Sequence, residues 1–437
     1  MMYIQEVMKC ICKPLSLKYK QAYENAKKMC EYDLFSEVTN QEIFLEKYPG
    51  VVMSLFVTCG CPHKVNNFNF CGCSMCDYQS LTLELEAKML ALKERNIDLY
   101  HQAIFKQISS NRGENAIPYL VESLSPLDAF NSFELDDDGF AELYRANKFF
   151  KFNPYIINLE TRATSINERR LKILSETISK RQRISIEIGC EVSNEWIRNH
   201  WINKGVSNEQ IINAVNLIHK YNFRATGNAL LGIPGFTEHQ SIQQVIKTVL
   251  WLDEIEFDEI IILPLNRKEI TLQGYIYKEF SKDPELERIG LVNGEHTTIP
   301  WFFSLIEALR IINKLRPNIW KKIILAQMRS DLNPVINEAI YNSKKDCSCN
   351  SEYIRILEKL NNKKSGVTIQ QVLDEVDNIL CNKCMDKYRE LISKQNAIFD
   401  EKETMLLLSR KINEKMFSNN NEYYNQIFEK ELLGYEY

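Results

Sequence analysis

Between about residue 50 and residue 280 the chain alternates short apolar runs with longer segments whose apolar positions follow a helical period. Residues 51–58 (VVMSLFVT), 155–160 (YIINLE), 184–190 (ISIEIGC), 225–231 (ATGNALL) and 259–263 (EIIIL) read as strands, with a weaker candidate at 116–124. Helical patterns fill the gaps at 81–108, 137–149 and 166–180. Ser207-x-x-Gln210 and Thr237-x-x-Gln240 have capping-box spacing, and each opens a helix. Ile211, Ile212, Val215 and Ile218 share one face of the first; Ile242, Val245, Ile246 and Val249 share one face of the second.

Strand–helix alternation repeated about six times argues for α/β architecture with a parallel sheet and helical crossovers. Six units fall short of the eight of a closed barrel, so the pattern predicts a partial (βα)6 barrel or a doubly wound sheet. Residues 1–49 read as an N-terminal helical extension, 50–280 as the barrel and 281–437 as a C-terminal helical region, with a surface loop at 361–366. In either sheet architecture, functional groups belong in loops at the carboxyl ends of the strands. A cysteine-rich loop, Glu160-Thr161-Arg162, Glu191, the Gly232-Ile233-Pro234-Gly235 turn and Asn266-Arg267 all fall there.

Composition narrows the class. The 437 residues are 45% hydrophobic and 26% charged, which excludes a disordered chain, and the net charge of −4 argues mildly against a nucleic-acid partner. No apolar run approaches the roughly 18 residues of a membrane span, and the N-terminus lacks the layout of a secretory signal. A cytoplasmic protein with no membrane contact is expected. Its 13 cysteines are then placed for metal or redox work rather than for disulfides.

The first cysteine group, Cys59-Gly-Cys61-Pro-His63 … Cys71-Gly-Cys73-Ser-Met75-Cys76-Asp-Tyr78, follows a strand and precedes a helix. Cys73-x2-Cys76 with the more distant Cys61 offers three thiolates on one loop. A [4Fe–4S] cube usually takes four, so a three-thiolate site leaves one iron open to a small molecule. Structural zinc and redox-inactive thiols are the plainer readings.

At these residues the chain resembles the radical S-adenosylmethionine superfamily. The long Cys61-x11-Cys73 gap, Cys61-Pro62-His63, the stretch Ile186-Glu187-Ile188-Gly189-Cys190-Glu191 and Asn203-Lys204-Gly205 are similar to the branch containing the Elongator acetyltransferase subunit and the archaeosine-synthase radical subunit. The resemblance covers roughly residues 50–275. It implies a [4Fe–4S] cluster on Cys61, Cys73 and Cys76, with Cys59 and Cys71 as alternative first ligands. It also implies S-adenosylmethionine chelated by the open iron, reductive cleavage to a 5′-deoxyadenosyl radical, and abstraction of a substrate hydrogen. Asn131-Ser132-Phe133 stands where the branch has a Gly-Ser-Phe-like stretch for the methionine amine, which places Ser132 there. Ile233-Pro234-Gly235 replaces the branch's Pro-Pro-Phe. On this reading Arg162 pairs with the methionine carboxylate. Glu160 and Glu191 accept from the amine or the ribose hydroxyls, and Gly232 and Gly235 let backbone approach the adenine. The substrate would be a tRNA nucleoside, a small metabolite or a peptide, and the electron would come from a flavodoxin or ferredoxin.

Plainer roles stand beside these. Glu160 and Arg162 would pair with neighbours, Glu191 would cap a helix, Cys190 would pack as a small hydrophobe and His63 would be a loop residue. Arg169-Arg170 and Lys180-Arg181-Gln182-Arg183 would be solvated surface. A second group, Cys347-x-Cys349 and Cys381-x2-Cys384, fits four-thiolate zinc, an auxiliary iron–sulfur cluster or free thiols. Cys10, Cys12 and Cys30 read as free. The competing function is a non-catalytic, zinc-bearing binding or scaffold protein.

Overall fold

The computed structural model describes residues 2–40, 46–48, 51–53, 56–66, 68–77, 80–110, 121–123, 127–145, 156–179, 182–326, 328, 338–362, 366–398 and 400–435. Ten strands are present among them: β1 (Glu46–Tyr48), β2 (Val51–Met53), β3 (Val65–Asn66), β4 (Asn69–Phe70), β5 (Val121–Ser123), β6 (Ile156–Thr161), β7 (Arg183–Glu191), β8 (Arg224–Leu231), β9 (Glu259–Pro264) and β10 (Ile323–Leu325). Eight form one sheet in the order β1-β2-β5-β6-β7-β8-β9-β10, antiparallel only between β1 and β2. From β2 onward spatial order equals chain order. Among the described residues the strand order has no reversal point, as a doubly wound sheet would require, and β1 does not pair with β10. The sheet is an open, partial barrel.

Alternation along the strands separates two faces. Ile157, Leu159, Ile184, Ile186, Ile188, Ala225, Ile260 and Ile262 are buried on one side, where helices Asn208–Lys220 and Glu238–Glu254 pack. The other side lines the lumen and is polar. There Glu187 accepts from Asn158 Nδ2 and Asn228 Nδ2, both at 2.8 Å, so one carboxylate bridges three neighbouring strands. Both capping boxes close as the spacing predicts.

Some expectations change. The segment 81–108 is two helices, Leu83–Arg95 and Ile97–Ser110, because the Asn96 side chain accepts from Leu99 N (3.1 Å) and starts a new helix. The C-terminal region contributes strand β10, parallel to β9, so the sheet continues past its sixth unit. Arg170, expected on the solvated surface, is 1% exposed. Its guanidinium donates to Asp137 Oδ1 (2.9 Å), to Ala129 O (3.2 Å) and to Leu135 O, and it lies over the Phe140 ring. Arg169 is exposed, while Lys180 and Arg181 lie outside the described residues, as do Tyr78 and most of the weak 116–124 strand. No helix among the described residues is long and apolar enough to cross a membrane.

A second buried guanidinium organises the loop after β7. Arg198, 0% exposed, donates from Nε to Val192 O (2.9 Å), from Nη1 to Val206 O (3.0 Å) and from Nη2 to Ser193 O (3.0 Å). These bonds tie the start of the 192–206 loop to its end. Replacing Arg198 with Ala strips buried carbonyls of their donor, at about 1–3 kcal/mol each. Chemical denaturation of the variant is expected to show a loss of about 3 kcal/mol or more.

Candidate functional site

The long first gap of the cysteine loop is explained by a small hairpin. Strands β3 and β4 pair Val65 with Phe70 and Asn66 with Asn69, and Cys71 N donates to Lys64 O at 3.0 Å. The excursion folds back on itself and returns the chain to the neighbourhood of Cys61 before Cys73 and Cys76. Gly72, at φ +66°, leaves room for the Lys64 stem; a Cβ there would sit 2.5 Å from Lys64 Cδ.

Three other segments hold this loop. Ser74 N donates to Ile202 O (2.7 Å), Ser74 Oγ donates to Trp201 O (2.9 Å) and Asn203 Nδ2 donates to Gly72 O (2.6 Å). From the loop after β9, Leu272 N donates to Ser74 O (2.7 Å), Ile270 N to Asp77 Oδ2 (3.1 Å) and Gln273 Nε2 to Met75 O (3.2 Å). The N-terminal helix Tyr3–Ala26 covers the outside: Phe70 N donates to Ser16 Oγ (2.9 Å) and Tyr19 Oη to Cys59 O (3.4 Å).

The Cys59 and Cys71 thiols point into these contacts. The Cys59 thiol is buried and donates to Phe133 O at 2.9 Å. The Cys71 thiol donates to Gln5 O (3.6 Å) and accepts from Asn203 Nδ2 (3.3 Å), while Cys12, itself buried, donates to Cys71 O (3.7 Å). Cys10 and Cys30 are exposed. Cys73 is 9% exposed, and Cys61 and Cys76 are half-buried. Burial, with Glu134 and Asp128 adding to it, holds the Cys61 thiol well above its ordinary range. Cys190 lies on the helix-packed face of β7 with Ile188, fully buried.

Buried cations surround the loop. Lys64, 4% exposed, donates to Cys76 O at 3.0 Å. Burial opposes its charge, but the Cys12, Cys76 and Asp77 side chains outweigh that and raise its pKa. Lys268, 4% exposed, is pulled down to about 8 by burial against the opposing pull of Cys76 and Asp77. Lys204 donates to Glu191 Oε1 at 2.8 Å, with both side chains buried. The pair lies over Gly189, where a Cβ would meet Lys204 Nζ at 2.5 Å and Glu191 Oε1 at 2.7 Å.

The predicted cofactor residues separate into three places. Glu160, Arg162 and Glu191 converge at the carboxyl ends of β6 and β7. Burial and the Glu187 carboxylate raise Glu160 to about 8. Arg162 donates from its guanidinium to Lys204 O, and its backbone N–H donates to Asp128 Oδ1 (3.2 Å). Glu191 sits at a bulge with φ +64°, an uncommon conformation for glutamate, and its Oε2 is buried without a partner among the described residues. It is half of an ion pair, and the helix that follows is capped by Asn194. His63 is half-buried beside Arg162 and Gly205, held neutral near 3 by burial, and its Nε2 donates to Asn203 O at 2.6 Å. Ser132 is exposed in the loop after β5 and accepts from Lys93 through its carbonyl (3.3 Å). Gly232 and Gly235, at φ +95° and +78°, are filled in by protein: Pro300 and Leu265 beside the first, Leu408 and Ile276 beside the second.

Sequence reasoning passed over Lys64, Lys204, Lys268, Asp128 and Glu134 as site residues. Nothing in a sequence marks a lysine as buried. A signal did exist for the lumen: Asn158 and Glu160, Glu187, and Asn228 are polar residues at alternate positions of apolar strands.

Elsewhere, Cys347, Cys349, Cys381 and Cys384 come together with all four sulfurs within 4.8 Å of one another. Burial works to raise Cys347, but the Cys349 N–H and the three neighbouring thiols outweigh it and hold its pKa below the ordinary value.

No protein-family profile matches the chain. Two uncharacterized proteins of Methanocaldococcus jannaschii are similar to it. One is 25% identical over 194 residues (44% of this chain, 47% of that protein), the other 22% identical over 208 residues (47% and 58%). The chain thus spans about half the length of the curated relatives it matches. Among solved structures, the radical S-adenosylmethionine methyltransferase TsrM from Kitasatospora setae, bound to tryptophan and aza-SAM, aligns at TM-score 0.39 and 14% identity, covering 78% of this chain and 62% of that one. Methylornithine synthase (PylB) aligns at 0.39 and 12%, covering 78% and 88%. The archaeal Methanocaldococcus infernus Elp3 aligns at 0.38 and 16%, covering 62% and 59%.

Glu134 gives the site a pH signature. Its Oε2 accepts from Thr58 Oγ1 (2.6 Å), its Oε1 has no partner among the described residues, and burial lifts its pKa from 4.5 to about 8. The folded state therefore binds a proton that the unfolded chain releases, and stability is lost as pH rises from about 4.5 toward about 8. Glu134→Gln is expected to remove a slope worth on the order of 2–4 kcal/mol across that window, read from denaturation midpoints at several pH values.

Proposed function

We propose that the chain is a radical S-adenosylmethionine enzyme whose [4Fe–4S] cluster is held by Cys61, Cys73 and Cys76. The observation that carries the reading is the cysteine loop at the carboxyl end of the first barrel strands, fixed there by loops following β7 and β9. The donor set fits such a group. Three soft thiolates suit iron–sulfur ligation, and Cys59 and Cys71 are engaged with backbone carbonyls, which favours Cys61 as the first ligand. The buried charges of Lys64, Lys204 and Lys268 suit an anionic cluster. With S-adenosylmethionine bound, the cluster would supply the electron for its reductive cleavage, and the cleaved nucleoside would supply the hydrogen-abstracting chemistry.

The chain's own groups supply binding and orientation. Arg162 presents a guanidinium for a carboxylate, and Lys204 holds Glu191 in place while the second Glu191 oxygen accepts from an amine or a ribose hydroxyl. His63, neutral, keeps Asn203 against the cysteine loop. Glu160, Glu187 and the amides of Asn158 and Asn228 form a polar lumen floor for a substrate rich in donors. That substrate is a tRNA nucleoside, a small metabolite or a peptide, and a flavodoxin or ferredoxin delivers the electron.

Protein reconstituted anaerobically is expected to be brown, to contain iron and sulfide in equal amounts, and to release 5′-deoxyadenosine on reduction with S-adenosylmethionine present. Cys76→Ala should abolish that release and Cys59→Ala should leave the cluster in place. Colourless protein and no 5′-deoxyadenosine would leave the scaffold reading standing. Lys64→Met should lower the cluster's midpoint potential. A buried unit charge nearby is worth on the order of 2 kcal/mol at an effective dielectric of about 20, or about 100 mV. A redox titration followed by electron paramagnetic resonance reads the shift without turnover.

A further inference from the structure

The four sulfurs of the C-terminal cysteine group are packed more tightly than an iron–sulfur cluster allows. Cys347 Sγ lies 3.3 Å from Cys349 Sγ, 3.7 Å from Cys381 Sγ and 3.6 Å from Cys384 Sγ, and Cys349 Sγ lies 3.8 Å from Cys384 Sγ. A tetrahedral ion with metal–sulfur bonds of about 2.3 Å has sulfur–sulfur edges of about 3.8 Å. In a cubane each thiolate sits on a different iron and points outward, so the four sulfurs stand much farther apart. A two-iron cluster would keep two close pairs but separate them from each other. Here every sulfur is within 4.8 Å of every other, and all four cysteines are free of disulfides.

We infer that Cys347, Cys349, Cys381 and Cys384 bind one zinc ion in a closed tetrathiolate site, and that this ion staples the C-terminal helix Asn382–Gln395 over the turn that ends β8. With no open position, the site is structural and takes no part in the radical chemistry. One polar neighbour reaches a sulfur of the group, and others fix the segment that carries it, as groups around metal ligands do. Asn342 N donates to Asn350 Oδ1 (2.8 Å), Asn342 Nδ2 lies 4.0 Å from Cys349 Sγ, and Asn350 Nδ2 donates to Lys344 O (2.8 Å) and Lys345 O (3.2 Å).

The stapled helix has a defined load. Gln395 accepts from Glu238 N (3.0 Å) and donates to Gly290 O (2.9 Å). Tyr388 Oη is 3.0 Å from Ser304 Oγ, which in turn donates to the Glu238 carboxylate. Glu238 opens the helix that follows the Gly232–Gly235 turn, and Leu391 and Gln395 help line the small cavity beneath that turn. The two cysteine pairs are 34 residues apart in sequence at their first members, so the ion closes a long loop between the starts of helices Ser348–Leu357 and Asn382–Gln395.

A variant with Cys61, Cys73 and Cys76 all replaced by Ala separates this site from the first. It is expected to hold one zinc per chain without colour or sulfide, and to show the intense red-region bands of a tetrahedral tetrathiolate when loaded with cobalt. Sulfide-bearing colour, iron in place of zinc, or no bound metal would overturn the inference. X-ray absorption at the zinc edge of the wild-type protein reads the same coordination without relying on the variant's folding, with four sulfur neighbours expected. Hydrogen exchange on Cys349→Ser and Cys384→Ser proteins reads the structural role. Faster exchange in residues 382–395, with β6 to β8 unchanged, is expected, and protection equal to that of the wild-type protein would remove the staple.

Discussion

The two backbone groups of Ser74 carry a constraint on which much of the site depends. Its N–H donates to Ile202 O and its carbonyl accepts from Leu272 N, each at 2.7 Å. One residue of the cysteine loop thereby joins the loop after β7 to the loop after β9, across the mouth of an open sheet. With the bonds from Asn203 Nδ2 to Gly72 O and from Gln273 Nε2 to Met75 O it ties the three loops of the mouth together, which matters because a partial barrel has no closing strand pair to fix its rim. Glycine at 72 and the β3–β4 hairpin serve the same end, since they bring a long insertion back to the place where Ser74 can make both bonds.

Charge is the second organising element. A folded chain rarely buries lysine or arginine without partners. Here Lys64, Arg170, Arg198, Lys204 and Lys268 are all buried around the carboxyl ends of the strands. Arg170 and Arg198 are saturated by carbonyls and by Asp137, and they act as struts for the loops after β5 and β7. Lys64 and Lys204 instead project toward the cysteine loop and Glu191. Buried charges of these two kinds look alike in a sequence and differ only in what they face.

The periphery follows a separate logic. The C-terminal helices reach the barrel at the Gly232–Gly235 turn, where Pro300, Leu265, Leu408 and Ile276 fill the space that the glycines leave. At both glycines the atoms that a Cβ would meet belong to protein side chains. Helix Asn382–Gln395 is part of that cover, and its start is where the second cysteine group gathers.

The sequence by itself determined the strand–helix alternation, the capping boxes at Ser207 and Thr237, and the position of the first cysteine loop at the end of a strand. These depend on local period and on contacts within a few residues. It did not reveal the β3–β4 hairpin or strand β10, each of which is too short for a period to register, and it ran the two helices that meet at Asn96 into one. It also left open what the thiols of the first loop touch and how the second group is spaced. Thiols at 59 and 71 are taken up by Phe133, Gln5 and Asn203, residues distant in sequence, and the sulfurs at 347 and 381 meet only because two helices dock. Side-chain direction and the burial of charge are properties of assembled neighbours, so only the tertiary structure decided them.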